Sequence, residues 1–336
     1  MPYTPNALES IKRQKGTILI TVMLLFAIGA YMATEITYRQ RVDILRSGSL
    51  FDKAQAIEYV YGAEEIAKFA LRRDLKKDKE KNKNSLKDHA QEDWGMPLSQ
   101  AVDGGTIEGQ LSDLQGRFNL NWLMETDPDK KAKVKSALLK LLAELKIPKE
   151  TPAQAVVDQL VDLMDDDSTP TFPDGKEESE YMLEELPRRA GNRLLVDLSE
   201  LLLIPALTPE EVEILAPFVA VLPPTSAINL QAAPSEVLNS FDCLDVSSIV
   251  GGEPRTTYED LKDLTVFKTD DDCKTAENDF PIAYGISSEF FELSAKSVMN
   301  GKTVKVRSVL YRNSEQDSNI DVKVIYRKQV DPFSSV

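Results

Sequence analysis

The stretch Thr17-Ile-Leu-Ile-Thr-Val-Met-Leu-Leu-Phe-Ala-Ile-Gly-Ala-Tyr-Met-Ala-Thr34 is uncharged and mostly apolar. An α-helix rises about 1.5 Å per residue, so this segment would extend about 27 Å, close to the roughly 30 Å hydrocarbon core of a bilayer. The basic residues Lys12, Arg13 and Lys15 precede it. Because basic flanks remain in the cytoplasm, they predict that the N-terminus lies inside and everything after residue 34 outside.

Three interpretations of this N-terminus compete. A secretory signal peptide needs small residues at a cleavage site after the apolar region, and Tyr38-Arg39-Gln40-Arg41 is a poor site of that kind. An uncleaved anchor is the second possibility. The third is favoured: a basic leader ending at Gly16, followed by an apolar helix that begins at Thr17 and is retained, resembles the start of prepilins and pseudopilins.

The fifth residue after the expected cut departs from that resemblance. Prepilins usually carry a glutamate there, whose carboxylate is thought to neutralise the N-terminal ammonium of a neighbouring subunit within the membrane, where a bare charge is costly. This chain has Thr21 instead. Among pseudopilins, this absence is characteristic of the large minor pseudopilin K of type II secretion.

The apolar segment is expected to continue as one long helix. No proline occurs between Pro5 and Pro97, and apolar residues recur at helical spacing beyond the membrane. We therefore predict a helix over 17–75, about 90 Å long, with residues 17–34 crossing the membrane. The alternative is an anchor followed by a separate amphipathic helix, with a break near Gly48. The charged residues 76–87 are predicted to form a solvated loop or frayed helix end.

The rest of the chain alternates between strand and helix patterns. Strand-like alternation around Ile107 and Leu111 gives way to helical spacing, and alternation returns near the C-terminus around a predicted hairpin turn at Asn300-Gly301. This order predicts an α+β fold, in which a pilin-like long N-terminal helix packs on an antiparallel sheet and a large all-α domain is inserted between strands. The predicted organisation is a leader over 1–16, the helix over 17–75, a linker and first strands over 76–121, the inserted helical domain with an acidic loop over 122–280, and C-terminal antiparallel strands over 281–336.

Composition limits the possible functions. The formal net charge is −15 over 336 residues, which argues against binding nucleic acid through broad electrostatics. Cys243 and Cys273 are the only cysteines and both lie beyond the membrane segment. We expect them to form a disulfide worth about 3–4 kcal/mol, with two unpaired buried thiols as the alternative. The single histidine, His89, lies in a charged stretch that we expect to be mobile, a poor setting for a catalytic triad or a histidine-based zinc site.

One short, turn-rich segment concentrates carboxylates. Crowding these groups is unfavourable unless a cation or water relieves their repulsion, and calcium takes six to eight oxygen ligands. The candidate metal ligands are Asp165, Asp166, Asp167, Asp174, Glu177 and Glu178. A solvated acidic turn without a metal is the alternative. A second acidic run, Asp270-Asp271-Asp272, is more simply explained as a polar loop beside the expected disulfide.

Several motifs together resemble one family. Asp113-Leu-Gln-Gly-Arg-Phe-Asn-Leu-Asn121, Arg189-Ala-Gly-Asn-Arg193 and Ile228-Asn-Leu-Gln-Ala-Ala-Pro-Ser-Glu-Val-Leu238 are similar to signatures of the type II secretion minor pseudopilin K family. With the leader, the resemblance covers most of the chain. The family pattern of calcium ligands aligns best with Asp165, Asp167, Glu177 and Glu178, although Lys176 replaces a small residue there.

The resemblance implies a non-enzymatic subunit in the inner membrane, single-pass, with its C-terminal part in the periplasm. It would cap the tip of a periplasmic pseudopilus with minor pseudopilins I and J, in contact with the major pseudopilin and the inner-membrane secretion platform, and support protein export across the outer membrane. It also implies calcium binding, cleavage after Gly16 by prepilin peptidase and N-methylation of Thr17.

Other function classes fit the sequence less well. The chain could be a membrane-tethered periplasmic calcium-binding adaptor outside any filament. An exported hydrolase would need a pair of catalytic carboxylates, and no persuasive pair is present. The helical segments over 208–222 and 233–238 resemble small DNA-binding hairpins but lack the basic phosphate-contacting residues that such binding requires.

Overall fold

One continuous helix forms the N-terminal part of the molecule. Helix α1 (Lys15–Lys81) has 67 residues, which corresponds to about 100 Å at about 1.5 Å per residue. It has no break near Gly48. The computed structural model describes residues 15–81, 86–183, 187–251, 258, 261, 264–269, 273, 276–313 and 321–330.

The N-terminal part of α1 fits a membrane span by its length and composition. Its most apolar 18-residue window has a mean hydropathy of 2.1, and none of that window is buried inside the protein. The hydroxyl of Thr21 donates a hydrogen bond to the carbonyl of Ile18, 2.9 Å away. Thr21 thereby satisfies its polar group within the helix, as a hydroxyl in a hydrocarbon environment must.

Helix α1 continues beyond its predicted end at Leu75. The loop predicted as one alternative for residues 76–87 is not present at residues 76–81, which form the largely exposed end of the helix. The reason is tertiary: Asp74 and Asp78, four residues apart, are both buried, and the backbone N–H of Lys87 donates to the Asp78 carboxylate at 3.3 Å. The returning chain therefore packs on the last turns of the helix. Residues 82–85 lie outside the described part of the chain.

The other elements fall into a sheet and an insertion. They are β1 (Leu98–Val102), β2 (Gly105–Asp113), β3 (Phe118–Asn119), α2 (Pro128–Glu144), α3 (Ala153–Met164), α4 (Glu178–Tyr181), α5 (Pro209–Leu215), β4 (Val219–Ala220), β5 (Ile228–Asn229), α6 (Ser235–Ser240), α7 (Val246–Val250), α8 (Ala276–Asp279), β6 (Tyr284–Gly285), β7 (Phe290–Met299), β8 (Lys302–Arg312) and β9 (Val322–Val330). Three short 3₁₀ helices span Asp93–Gly95, Leu120–Met124 and Leu198–Leu203.

The main sheet has five strands in the order β1-β2-β7-β8-β9, and every neighbouring pair is antiparallel. The predicted turn joins β7 to β8, with Asn300 at φ 46° and Gly301 at φ 79°. This left-handed pair suits a two-residue hairpin. Since β2 and β7 are sheet neighbours, the chain between Asp113 and Phe290 is an insertion between adjacent strands.

The C-terminal half of α1 packs across this sheet. Its buried face is rich in alanine, which lets the helix axis approach the strands closely. The helix contributes Ala56, Val60, Ala63, Ala67 and Leu71 to a core shared with Leu111, Phe291, Val304 and Leu310. Burial of this apolar surface, at about 25 cal/mol per Å², supplies the main attraction between helix and sheet.

One buried charge sets the position of α1 along the sheet. Glu64 is almost fully buried within that helix face. Arg327 of β9 donates two hydrogen bonds to its carboxylate, and the Ser308 hydroxyl of β8 donates a third at 2.6 Å. The Arg327 guanidinium also lies over the Tyr61 ring, 4.6 Å from its centroid. A helix shifted by one turn would leave Glu64 buried without these donors, at a high energetic cost.

The insertion has its own hydrophobic core, to which α2, α3, α5, α6, α7 and the 3₁₀ helices of the insertion all contribute. Sequence signals set the ends of its helices: Asp127 caps α2 ahead of Pro128, and Thr208 forms a capping box with Glu211 ahead of α5. Helices are the main regular elements of the described part of the insertion, as predicted, but two short parallel strand pairs, β3 with β4 and β5 with β6, contribute as well. Two-residue strands show no alternation in sequence, so the all-helical expectation missed them.

The expected disulfide is confirmed. Cys243 and Cys273 are joined with an S–S distance of 2.04 Å. The bond links the segment after α6 to the segment before α8 within the insertion. The acidic run Asp270-Asp271-Asp272 lies outside the described residues.

His89 does not lie in a mobile stretch, and that expectation was wrong. It is buried, its Nδ1 is 3.0 Å from the Gln91 side-chain oxygen, and its Nε2 is 3.8 Å from Glu92. The charged sequence around His89 belongs to a segment that returns from α1 and packs against the sheet. Trp94 of this segment contacts Phe291 edge to face. Charge density alone could not distinguish this from solvated chain.

Candidate functional site

The acidic segment begins where α3 ends. Helix α3 stops at Met164, and Asp165 takes an extended conformation just beyond it. Inside the helix, Asp162 is fully buried. The C-terminus of a helix carries partial negative charge, so carboxylates there repel its dipole as well as each other. A cation at this point would relieve both repulsions.

A tight turn then folds over Asp162. The backbone N–H of Thr171 donates to both carboxylate oxygens of Asp162 at 3.1 Å. The N–H of Gly175 donates to the Thr171 carbonyl at 2.8 Å. A Cβ on Gly175 would lie 2.1 Å from the Asp162 Oδ2 atom, closer than any side chain permits. This contact explains why a glycine occupies this position.

The turn brings Glu177 back against the end of α3. Glu177 is buried and precedes the short helix α4, and its backbone N–H donates to Glu180 at 2.9 Å. Asp162, Asp165 and Glu177 each place one carboxylate oxygen within 4.8 Å of the others. Three carboxylates from two elements thus converge on a single point.

The electrostatics of this group are unfavourable in the absence of a cation. Burial raises the pKa of Asp162 and of Asp165. Burial, together with the negative charges of Asp162 and Asp165, raises the pKa of Glu177 to about 7. One oxygen of Asp165 and one of Glu177 are buried with no hydrogen-bond partner among the described residues. A divalent cation bound by oxygen ligands is the group that fits such a donor set.

The structure separates the predicted ligands into two groups. It brings together Asp165 and Glu177. The other four are not part of that closest group. Asp166 is exposed, and Asp167 accepts from the Thr169 N–H at 2.8 Å but lies near enough for its charge to raise the pKa of Asp165 and Glu177. Asp174 uses its backbone carbonyl to accept from Gln159, and Glu178 lies 3.5 Å from Arg189.

Asp162 was missed by the sequence analysis. It lies within the apolar repeat of α3, where a single acidic residue resembles the polar face of an amphipathic helix. The available signal was its spacing, because positions three and four apart share a helix face and Asp162 stands between Asp158 and Asp165 at those intervals.

The predicted processing site lies at the start of α1. Gly16 and Thr17 are in its first turn, and both are exposed. A Cβ on Gly16 would meet nothing within 4 Å. Packing within the chain therefore does not explain a glycine here.

The motif residues around β3 have structural roles. A Cβ on Gly116 would lie 2.6 Å from the backbone of Ala232, so the glycine allows two segments of the insertion to touch. The Asn121 side chain accepts from the Leu195 N–H at 2.9 Å and donates to the carbonyls of Leu195 and Leu222. These contacts join three parts of the chain far apart in sequence.

The sequence of this chain is similar to those of known proteins. Residues 116–224 match the family described as type II secretion system (T2SS), protein K. Type II secretion system protein K of Pseudomonas aeruginosa is 31% identical over 307 residues, covering 90% of each chain. A putative type II secretion system protein K of Escherichia coli K12 is 28% identical over 323 residues, covering 91% of this chain and 95% of that protein.

A solved structure shares the fold. It is that of the GspK-GspI-GspJ complex from enterotoxigenic Escherichia coli, matched with a TM-score of 0.70 and 22% sequence identity. The match covers 85% of this chain and 99% of the other. The pilin-like helix on an antiparallel sheet, with helices inserted between strands, is therefore an established architecture.

Proposed function

The chain belongs to the type II secretion system protein K family and is a minor pseudopilin, and from that premise we propose that it caps the tip of a periplasmic pseudopilus. Its partners there would be minor pseudopilins I and J. The solved relative with this fold was crystallised as a GspK-GspI-GspJ complex, which supports that choice. In this role the chain binds other subunits and supports protein export rather than catalysing a reaction.

The insertion between β2 and β7 is the observation that carries the proposal. Pilin-type subunits stack through their long helices, and a subunit above this one would need the space beside the sheet. Here that space is taken by a folded body with its own core. Thr21 adds a second argument, because it provides no carboxylate to neutralise the N-terminus of a neighbouring subunit in the membrane. Both features suit the last subunit of a filament.

The proposed location follows from α1 and the disulfide. Residues 17–34 would cross the inner membrane, with the N-terminus in the cytoplasm and the sheet and insertion in the periplasm. A disulfide between Cys243 and Cys273 is compatible with that oxidising compartment. At the membrane, the chain would also meet the major pseudopilin and the inner-membrane secretion platform.

Co-purification tests this role against the alternative of a calcium-binding adaptor outside any filament. The full chain, co-expressed with minor pseudopilins I and J and extracted in detergent, is expected to purify as a complex with both. Deleting its gene should reduce secretion or alter pseudopilus length and number. A chain that purifies alone, from cells whose secretion survives the deletion, would support the adaptor role instead.

The mature N-terminus provides a separate prediction. If prepilin peptidase processes the chain, mass spectrometry of the membrane-extracted protein will find N-methylated Thr17 as its first residue. A substitution at Gly16 that blocks the cut should leave the leader attached, while Gly48→Ala, a glycine change of similar size farther along α1, should not affect processing. An intact Met1, or a first residue beyond 34, contradicts the prediction.

We propose that the cluster of Asp162, Asp165 and Glu177 holds calcium. The buried, unpaired oxygens of Asp165 and Glu177 support this, as does the turn that closes over Asp162. Bound calcium would neutralise the three carboxylates and tie the end of α3 to the start of α4. Its role is structural: it would fix the loop of the insertion, with the remaining coordination positions supplied by other oxygens.

Calcium is expected to raise the melting temperature of the full chain in detergent. At a concentration 100 times the dissociation constant, binding stabilises the folded state by about 2.7 kcal/mol. Asp165→Asn and Glu177→Gln should each abolish most of the difference between calcium and chelator. Asp166→Asn, an equal charge change at an exposed neighbour, should preserve it. Equal melting temperatures with calcium and chelator for the unmodified chain would remove the proposal.

The calcium effect should also depend on pH. Since the pKa of Glu177 is raised to about 7 in the calcium-free fold, the folded state holds that proton more tightly than the unfolded state. This contribution to stability is present at low pH and lost as pH rises through about 7. Calcium replaces the proton, so its stabilising effect should be larger at about pH 8 than at about pH 5, as calorimetry at both pH values can show.

A further inference from the structure

A second group of carboxylates lies at the C-terminal end of the long helix α1, here called the stem. It is separate from residues 162–177, which hold the proposed calcium ligands and are here called the calcium loop. Asp74 projects from the last turns of α1, and Asp88 and Glu92 come from the segment that returns beneath the sheet. Each contributes one oxygen to a set lying within 4.8 Å of one another. Asp88 is fully buried, and Asp74 is 9% exposed.

The positive side chains around this cluster are too few to balance its carboxylates. Arg312 of β8 lies 2.5 Å from one Asp88 oxygen and 3.3 Å from Asp74. Burial raises the pKa of Asp74 and of Glu92; the negative charge of Glu92 raises the pKa of Asp74 further, and the charge of Asp78 raises both pKa values. Among the residues that the structure describes, the charged or titratable groups facing the cluster are Asp74, Asp78, Asp88, Glu92 and Asp113 on the negative side, Arg312 and Lys87 on the positive side, and His89. Carboxylates therefore outnumber cations in a buried space.

One oxygen of Asp88 points independently to a missing ligand. Its Oδ2 atom accepts from Arg312 and, at 2.8 Å, from the backbone N–H of Ser288. Its Oδ1 atom is buried and has no hydrogen-bond partner among the described residues. A fully buried carboxylate oxygen without a partner costs free energy. Arg312 does not serve it: its two terminal NH groups bond to the other Asp88 oxygen, to Asp74 and to the Ser288 carbonyl, and its Nε–H is buried without a partner among the described residues.

We propose that Asp74, Asp88 and Glu92 bind a divalent metal cation of the hard, oxygen-preferring class, Ca²⁺ or Mg²⁺. The cation accepts the free oxygen of Asp88 as a ligand and balances the excess negative charge. All three ligands are carboxylates, which these ions prefer. This site is separate from the calcium loop and does not depend on it.

Such a cation would connect three parts of the molecule. Asp74 belongs to the stem, and Asp88 is paired with Arg312 of the sheet. The backbone carbonyl of Asp88 accepts from the side chain of Asn229, 3.0 Å away, which belongs to β5 of the insertion. The same Asn229 amide lies 2.8 Å from Asp113 at the end of β2. An ion on Asp88 would therefore tie the stem to the base of the insertion.

Terbium luminescence can detect this site directly. Trp94 donates its ring N–H to Glu92 at 2.8 Å, so a Tb³⁺ ion on Glu92 would be sensitised by excitation of that tryptophan. The measurement uses the full chain carrying Asp165→Asn and Glu177→Gln, two substitutions that disable the proposed calcium site in the loop. This double variant is the loop-deficient background. Sensitised emission is expected in this background and should fall strongly with Trp94→Phe.

Paired substitutions locate the ion. Glu92→Gln keeps an acceptor for Trp94 but removes one ligand charge, and it should weaken Tb³⁺ binding by at least about 10-fold. Asp93→Asn, the same charge change one residue along, should leave binding unchanged. Emission that responds equally to Glu92→Gln and Asp93→Asn would overturn the proposal.

Calorimetry provides a measurement that does not depend on the Glu92 variant folding correctly. Titrating Ca²⁺ and then Mg²⁺ into the loop-deficient background should give saturable binding of at least one of them. No binding heat and no displacement of terbium by either ion would mean that the Asp88 oxygen is satisfied by water or a shared proton. Because the calcium site in the loop is disabled in this background, an absence of binding would contradict only the proposal for Asp74, Asp88 and Glu92 and would not affect the proposal for the loop.

Discussion

Replacing Arg312 by methionine is expected to destabilise the protein by about 3–5 kcal/mol, the usual cost of breaking a buried ion pair from one side. Arg312 is 1% exposed. Its guanidinium binds Asp74, Asp88 and the Ser288 carbonyl, and lies over the Phe291 ring at 4.7 Å from the centroid. Methionine fills much of the volume but leaves two buried carboxylates without their partner.

Denaturant unfolding of the full chain in detergent, with a chelator present so that no cation replaces the lost charge, measures this effect. Lys296→Met is the matched control, because Lys296 makes an exposed ion pair with Glu108 at 3.1 Å. Exposed pairs contribute about 0–1 kcal/mol, so the control should change little. Similar losses in the two variants would show that the buried cluster is not held together by Arg312.

Gly175→Ala is expected to abolish the stabilisation by calcium. The added Cβ would lie 2.1 Å from Asp162 Oδ2 and 2.5 Å from the backbone N and O of Thr171. Backbone atoms cannot yield as a flexible side chain would, so the turn must open and withdraw the Thr171 N–H from Asp162. We expect overpacking to cost about 1–3 kcal/mol, and the calcium contribution, about 2.7 kcal/mol at 100 times the dissociation constant, to be lost as well.

Gly285→Ala is the control for this substitution, because a Cβ at Gly285 meets nothing within 4 Å. Melting curves in calcium and in chelator should differ as much for Gly285→Ala as for the unmodified chain, and should coincide for Gly175→Ala. A Gly175→Ala protein with the full calcium shift would show that closure over Asp162 is not part of the binding site.

Much of the fold could be predicted because its signals are local. The apolar run, the proline and cap at the start of α5 and the Asn300-Gly301 turn each act within a few residues, and the absence of proline between Pro5 and Pro97 permits one long helix. The features that were missed depend on distant partners. Residues 76–81 are helical because the returning chain covers Asp78, and His89 is buried for the same reason.

The candidate sites show the same limit. The acidic composition of the loop predicted a cation, but only the packed structure selects Asp162, Asp165 and Glu177 among the neighbouring carboxylates. The carboxylates that form the site are those whose oxygens are brought together in buried positions, and the turn at Gly175 determines which oxygens these are. The Asp74, Asp88 and Glu92 cluster gave no sequence signal, because its members are dispersed among lysines in a stretch that composition assigns to solvent.

The insertion also has a consequence for biogenesis. Strand β2 ends at Asp113 and its central neighbour β7 begins at Phe290, so the residues that pair between them are far apart in sequence. Bringing them together requires closing a long loop, which costs conformational entropy and slows folding. During synthesis, β2 and the apolar face of α1 emerge well before β7, β8 and β9. Until the last strands are made, the nascent chain therefore carries these surfaces unpaired, which exposes it to misassembly and aggregation for longer than a chain whose neighbouring strands are consecutive.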